Sequence, residues 1–208
     1  ILACTPLHVG AAELARRQER YDRIAPPGMR IQLRDLPPSA PRSLECEADM
    51  RASERYVIES LRAVPDGFDA VLADCVLDPG ITTLQRELSL PALGILRLNL
   101  AHGRALGRPS AAVVRNGAIA AEMRAVADAC GLGDALLDVM LLDLDFSAVA
   151  DHDRWQARLA EVAVGAARAG ARHLLNGCSA VDTDAVGAPI AVYDPVARAL
   201  ALAAAGTV

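Results

Sequence analysis

The chain has 208 residues and a mass of 21.8 kDa, enough for one large domain or two small lobes around a buried core. It is 53% hydrophobic and 23% charged, which excludes a disordered or low-complexity protein, and at 3% aromatics the core must be built from small side chains. A net charge of −5 with no basic run argues against a nucleic-acid surface.

Charge-free stretches reach only about ten residues, as in 199–208, short of the roughly 18 needed to cross a bilayer. No secretory segment with a basic start and an apolar stretch is expected ahead of Ile1. Five cysteines without regular spacing argue against a secreted disulfide scaffold. The expectation is a cytoplasmic protein with reduced thiols and no membrane partner.

Short apolar runs at 1–5, 29–33, 68–73, 109–114, 136–142, 173–175 and 189–193 read as buried strands. Between them, 6–24, 44–64, 81–88, 94–105, 118–130, 151–169 and 195–204 carry helical periodicity. Alternating strands and crossover helices predict an α/β protein with parallel sheets. Asp151 is the expected N-cap of its helix, and Asp78 that of the short helix at 81–88. Asp143 and Asp145 alternate with apolar neighbours and are expected to face water, as is His152 at a helix start.

An internal resemblance then narrows the fold. DAVLADC (69–75) leads through a short helix to LPALGILRLNLAHG (90–103), and ARHLLNGC (171–178) leads to GAPIAVYDPVARALAL (187–202). Each copy reads strand, Cys, short connection, Pro-led apolar run and Ala/Leu-rich helix. This pattern predicts two similar lobes, each delivering one thiol, Cys75 or Cys178, at the carboxyl end of a strand, where open parallel sheets bind ligands. A thiolate there can remove a proton from carbon, and a thiol on the opposite face can return it, inverting a stereocentre. Free Cys is more often a small buried hydrophobe. That plainer reading is assigned to Cys46 and Cys130, inside helical patterns, and to Cys4, which ends the first strand. The four His show no metal spacing, no Cys-x-x-Cys occurs, and Gly131-x-Gly133 lacks the rest of a phosphate-binding motif. No metal site is expected.

The strings DCVLDPG (74–80), NGCSA (176–180) and APIAVYDPV (188–196) resemble the aspartate/glutamate/hydantoin racemase superfamily, most nearly its hydantoin and allantoin racemase branch. The resemblance implies two pseudo-symmetric Rossmann-like lobes, 1–94 plus 195–208 with Cys75 and 95–194 with Cys178, and an active site in the cleft between them. It implies Cys75 and Cys178 as the acid/base pair, a small-molecule substrate and no cofactor, and it leaves homo-oligomerisation open. Substrate contacts are carried to Thr5, Pro6, Val76, Leu77, Asp78, Asn116, Gly117 and Ser179. The backbone N–H groups of 76–78, 116–117 and 179 are the expected oxyanion donors.

Departures bear on the substrate. Thr5-Pro6-Leu7-His8 stands where the hydantoin branch carries an Asn-Pro-Asn-Thr type segment, and Arg115-Asn116-Gly117 where it offers Thr. Val76-Leu77 and Ser179 replace the Asn-Thr and Thr of glutamate and aspartate racemases, so an acidic amino acid fits poorly. His8 is a candidate to reach the site, and Arg115 is either a cation for an anionic substrate or a solvated residue. Alternatives on the same scaffold are a maleate-isomerase-like cis–trans isomerase, a malonate decarboxylase using Cys178 alone, and a non-catalytic binding protein.

Overall fold

A computed structural model describes residues 1–183 and 188–206. Gly187, which heads the second apolar run, and residues 207–208 lie outside the described residues. The chain divides into two compact units, Ile1–Ile95 with Ala199–Val208, and Leu96–Arg198.

The first unit contains β1 (Leu2–Cys4), α1 (Ala11–Ile24), β2 (Gln32–Arg34), α2 (Glu47–Arg62), β3 (Val71–Ala73), α3 (Ile81–Glu87) and β4 (Ala92–Leu93). Its sheet is parallel in the order β2-β1-β3-β4, with Leu2 opposite Val71 and Cys4 opposite Ala73. These four side chains share one face and pack with Val57 and Leu61 of α2 and Ile81 and Leu84 of α3. Met50, Ser53, Val57 and Leu61 recur at three- and four-residue spacing and form the buried stripe of α2. Each buried Leu or Val contributes roughly 1.5–3 kcal/mol, and the short strand residues let the helices approach closely. Burial pushes the Cys4 thiol up to about 11, consistent with a structural role.

The second unit takes up α4 (Ile95–Ala105) from Leu96 onward, then β5 (Ser110–Val114), α5 (Gly117–Ala129), β6 (Leu136–Leu141), α6 (His152–Arg168), β7 (His173–Asn176), β8 (Ala191–Tyr193) and the start of α7 (Pro195–Ala205). Its parallel sheet has the order β6-β5-β7-β8. Each sheet thus places its second-half strands on the same side of the first, so the internal resemblance corresponds to a repeated topology. Trp155, Leu159, Ala163 and Ala166 of α6 cover Ala111, Val113 and Leu174. Asp151 caps α6 by accepting from the Arg154 N–H at 3.1 Å, and His152, Asp143 and Asp145 are exposed, all as expected.

Several local expectations are corrected. The helix expected at 6–24 starts at Ala11, because the Asp35 carboxylate captures the Val9 and Gly10 N–H groups at 2.9 and 2.8 Å and holds that stretch as a loop. Cys46 is exposed at the N-cap of α2, where its N–H donates to Asp49 at 3.1 Å, so it is not a buried helix residue. Cys130 is the half-buried C-cap of α5. Asp78 does not cap α3; Gly80 does, in the left-handed region at φ 71°. A Cβ there would also lie 2.4 Å from Ile58 Cγ1. Among the described residues, no helix is long and apolar enough to cross a membrane.

Candidate active site

In the first unit, the carboxyl ends of β1 and β3 carry adjacent loops, tied by the Asp74 N–H donating to the Cys4 carbonyl at 2.8 Å. Thr5 is fully buried just beyond β1; its hydroxyl donates to the Leu7 carbonyl at 2.8 Å and bonds Asp35 Oδ1 at 3.1 Å. Pro6 is buried, and its carbonyl accepts from the Ser53 hydroxyl at 2.6 Å. Cys75 lies two residues beyond β3 and is only 7% exposed. The Leu77 N–H donates to Cys75 Sγ at 3.5 Å. Val76, Leu77 and Asp78 are buried, and Asp78 is in the left-handed region at φ 50°. The Asp78 N–H already donates to the Cys75 carbonyl at 3.1 Å, closing the turn.

The turn is anchored from below. Asp74, 1% exposed, accepts from the Tyr21 hydroxyl at 2.8 Å and from Arg17 Nη1 at 3.3 Å, both on α1. Burial and the neighbouring Asp74 charge hold the Tyr21 phenol well above its usual range, so it stays a donor. Asp35 gathers the second loop: besides Val9, Gly10 and Thr5 it lies 3.0 Å from His8 Nδ1. Burial raises the Asp35 carboxyl, but these partners outweigh it and leave the group below its ordinary value. The His8 ring is also 2.8 Å from the Leu36 carbonyl, so it is committed to the loop.

In the second unit, the carboxyl ends of β5 and β7 are the matching pair. Asn116 is the N-cap of α5 and accepts from the Ile119 N–H at 2.9 Å; Gly117 is the exposed first residue of that helix. Arg115 is 5% exposed, donates to the Leu144 carbonyl at 3.3 Å and lies 5.7 Å over the Phe146 ring, so it is not a solvated residue. Cys178 lies two residues beyond β7, half-buried, with Ser179 buried beside it.

Gly177 explains the Gly-Cys pair. A Cβ at this position would meet the Val113 carbonyl oxygen at 2.4 Å, while the Gly177 N–H donates to that same oxygen at 2.7 Å. Asn176, fully buried, accepts from Trp155 Nε1 at 3.2 Å, and its amide donates to Thr183 Oγ1 at 3.2 Å and to the Cys178 and Val181 carbonyls at 3.4 Å. One buried amide thus ties together residues 178, 181 and 183 of the loop that follows β7.

Cys75, Val76, Leu77, Asp78, Thr5 and Pro6, all expected at the substrate, lie at one sheet edge of the first unit. Cys178, Ser179, Asn116 and Gly117, expected at the same site, lie at the corresponding edge of the second unit. The sequence pattern does not reveal Asp35, Tyr21, Arg17 and Trp155, whose contacts span large separations. Asp74 and Asn176 were legible in one respect: each is a polar residue directly after an apolar strand run and just before a matched Cys.

The sequence profile of the Asp/Glu/Hydantoin racemase family matches residues 1–203. The fold is similar to that of allantoin racemase from Pseudomonas fluorescens, with a TM-score of 0.84 at 18% identity over 99% of this chain and 89% of the other. Allantoin racemase from Klebsiella pneumoniae superposes at 0.81 with 19% identity, covering 99% and 87%. An uncharacterized protein of Schizosaccharomyces pombe is 27% identical over 165 residues, 76% of this chain and 68% of that one.

Proposed function

The chain belongs to the Asp/Glu/Hydantoin racemase family, and from that premise we propose that it inverts a carbon beside a carbonyl in a hydantoin-like or amino-acid-derived substrate, with Cys75 and Cys178 as the two bases. As a family member it is a racemase-class isomerase. The observation that carries the mechanism is the matched placement of the thiols, each two residues past a strand of equivalent position in two sheets of the same order. The expected lobes, 1–94 plus 195–208 and 95–194, would each supply one thiol. The solved allantoin racemases of similar fold favour a cyclic ureide over an acidic amino acid.

In each turnover one thiolate takes the proton from the reacting carbon, and the electron pair passes to the carbonyl oxygen as an enolate. The opposite thiol then protonates the carbon on its other face, and the two cysteines have exchanged charge states. Backbone N–H groups at Val76, Gly117 and Ser179 are the candidate donors to the enolate oxygen. Flanking one carbon at about 3–3.5 Å each requires the sulfurs to stand roughly 6–8 Å apart. No cofactor is needed for the proton balance.

The test is racemisation of each enantiomer of a hydantoin in deuterated water. Early product should carry deuterium at the inverted carbon while unreacted substrate keeps its hydrogen. Cys75→Ala and Cys178→Ala should each reduce inversion about 100- to 10,000-fold, with residual hydrogen exchange confined to one enantiomer in each variant. A Cys75→Ala enzyme racemising at the parental rate would refute the two-base reading.

A further inference from the structure

The second unit holds a cavity of about 430 Å³ that the proposed chemistry does not use. It is lined by His102 of α4, Leu106 just after that helix, Arg108 before β5, His173 of β7, Tyr193 of β8 and Arg198 of α7, among others. His173 begins β7 and Cys178 lies past its end; five extended residues span roughly 16 Å. His173 lines the cavity from the amino end of β7, while Tyr193 and Asp194 line it from the end of β8, and neither Cys178 nor Ser179 is among its lining residues.

The cavity is cationic and its cations are under-compensated. Among the described residues neither Arg108 nor Arg198 makes an ion pair. Arg198 instead stacks 4.4 Å over the Tyr193 ring. The Tyr193 hydroxyl lies 3.1 Å from His173 Nδ1, which fixes both rings against one wall. The lining acid, Asp194, is engaged as a cap, accepting from the Val196 and Ala197 N–H groups at 2.9 Å. Burial, then the Arg108, Arg198 and Arg172 charges, hold His173 below its ordinary value. Arg198 is half-buried and Arg108 exposed; a partly desolvated guanidinium without a carboxylate gains from an acceptor, and the second cation adds to the attraction for an anion. Leu106, 54% exposed, and Tyr193 supply an apolar and aromatic rim beside them.

We infer that this cavity is a second ligand site, taking a small organic anion whose carboxylate or phosphate is met by Arg108 and Arg198 and whose body lies against Tyr193 and Leu106. The volume suits a metabolite-sized molecule, and an aromatic wall with paired cations suits a flat or apolar body carrying one charged end.

The four histidines make the site readable in the full chain by NMR. Inorganic phosphate and, separately, benzoate are titrated at constant ionic strength, with each ring signal assigned by its His→Gln variant. His173 and His102 should shift saturably while exposed His152 and loop-bound His8 stay still, and the His173 titration midpoint should rise. Benzoate should bind at least as well as phosphate if the aromatic rim takes part. Arg198→Gln and Arg108→Gln should each weaken binding about tenfold, with Trp155 fluorescence unchanged to show that the unit is folded. Non-saturating shifts, shifts centred on His8 or His152, or parental affinity retained in both Arg variants would overturn the site.

Discussion

The two cysteine loops solve the same problem with different chemistry. Beyond β3 the anchor is a buried carboxylate, Asp74, held by a phenol and a guanidinium from α1. Beyond β7 it is a neutral amide, Asn176, held by an indole from α6. The helices are not equivalent either: α1 follows β1, whereas α6 follows β6, the counterpart of β2. In a right-handed winding these fall on opposite faces of a sheet. The repeat therefore conserves strand order and the position of the thiol, while the support beneath each thiol is particular to its unit. Topology sets where a Cys emerges, and long-range polar contacts set how firmly it is held.

The largest test of this difference is to remove each anchor's partner. Trp155 is fully buried in the second unit's core as well as bonded to Asn176. Trp155→Ala should cost about 3–5 kcal/mol through the cavity it leaves, and denaturant unfolding should show it. Trp155→Phe keeps much of the volume and removes the N–H, so it should restore most of the stability but not the order of the Cys178 loop. Loss of activity in Trp155→Phe beyond its loss of stability would isolate the anchoring role.

The glycines beside the two thiols give the next effect, and they separate backbone from side-chain restraint. Gly177→Ala drives a methyl into the Val113 carbonyl at 2.4 Å, in the middle of the sheet, where nothing can yield. Overpacking of this kind costs about 1–3 kcal/mol. Gly80→Ala meets a side chain, Ile58, and adds the strain of φ 71°. A double variant, Gly80→Ala with Ile58→Val, should therefore recover part of the loss, measured as a thermal midpoint. No smaller side chain at Val113 should rescue Gly177→Ala, because the clash is with backbone.

How far the sequence foretold these features follows from the range of the interactions behind them. The alternation of strand and helix is local, and seven of the eight strands among the described residues lie within a few residues of the expected runs. β4 escaped because Ala92–Leu93 is two residues long and too short to show a period. The start of α1 falls later than the apolar pattern suggests because a carboxylate just past β2, Asp35, holds Val9 and Gly10 out of the helix, a contact across some 25 residues. Cys75 and Cys178 were found because their surroundings repeat in sequence. Tyr21, Arg17 and Trp155 could not be found that way: they meet their partners across 53, 57 and 21 residues, and the two units use different residue types.

A smaller effect belongs to the phenol. Tyr21→Phe removes one bond to the buried Asp74 but leaves Arg17 in place. A hydrogen bond to a charged group contributes about 1.5–3 kcal/mol, and the remaining guanidinium should keep the cost near the lower end. The same change should loosen the Cys75 turn, read as faster hydrogen exchange at Leu77 and Asp78. Unchanged exchange there would mean that the Cys75–Asp78 turn is held by its own backbone bonds, and the contrast between the anchors would shrink to the second unit.

Acid should distinguish the units by the smallest margin. His173, in the second unit, is held below its ordinary value of 6.5 by burial and by Arg108, Arg198 and Arg172. Near and below pH 6.5 the unfolded chain then binds more protons than the folded one, so stability rises with pH across this window. The contribution of a neutral His173 is present above about 6.5 and is lost as pH falls through the lower folded value. Asp35, in the first unit, is also lowered, despite burial, by the Val9, Gly10, Thr5 and His8 contacts. Its contribution is present above about 3.9 and is lost only as pH falls through a value lower still. Other lowered carboxylates, Glu13 in the first unit and Asp145 at about 2 in the second, also act in that lower range. Acidification from pH 7 to 5 should therefore weaken the second unit through His173. Trp155 fluorescence in urea reports the second unit, and its midpoint should fall with pH in the parent and stay flatter in His173→Gln. A midpoint equally pH-dependent in both proteins would assign the acid sensitivity elsewhere and remove this last difference between the two halves.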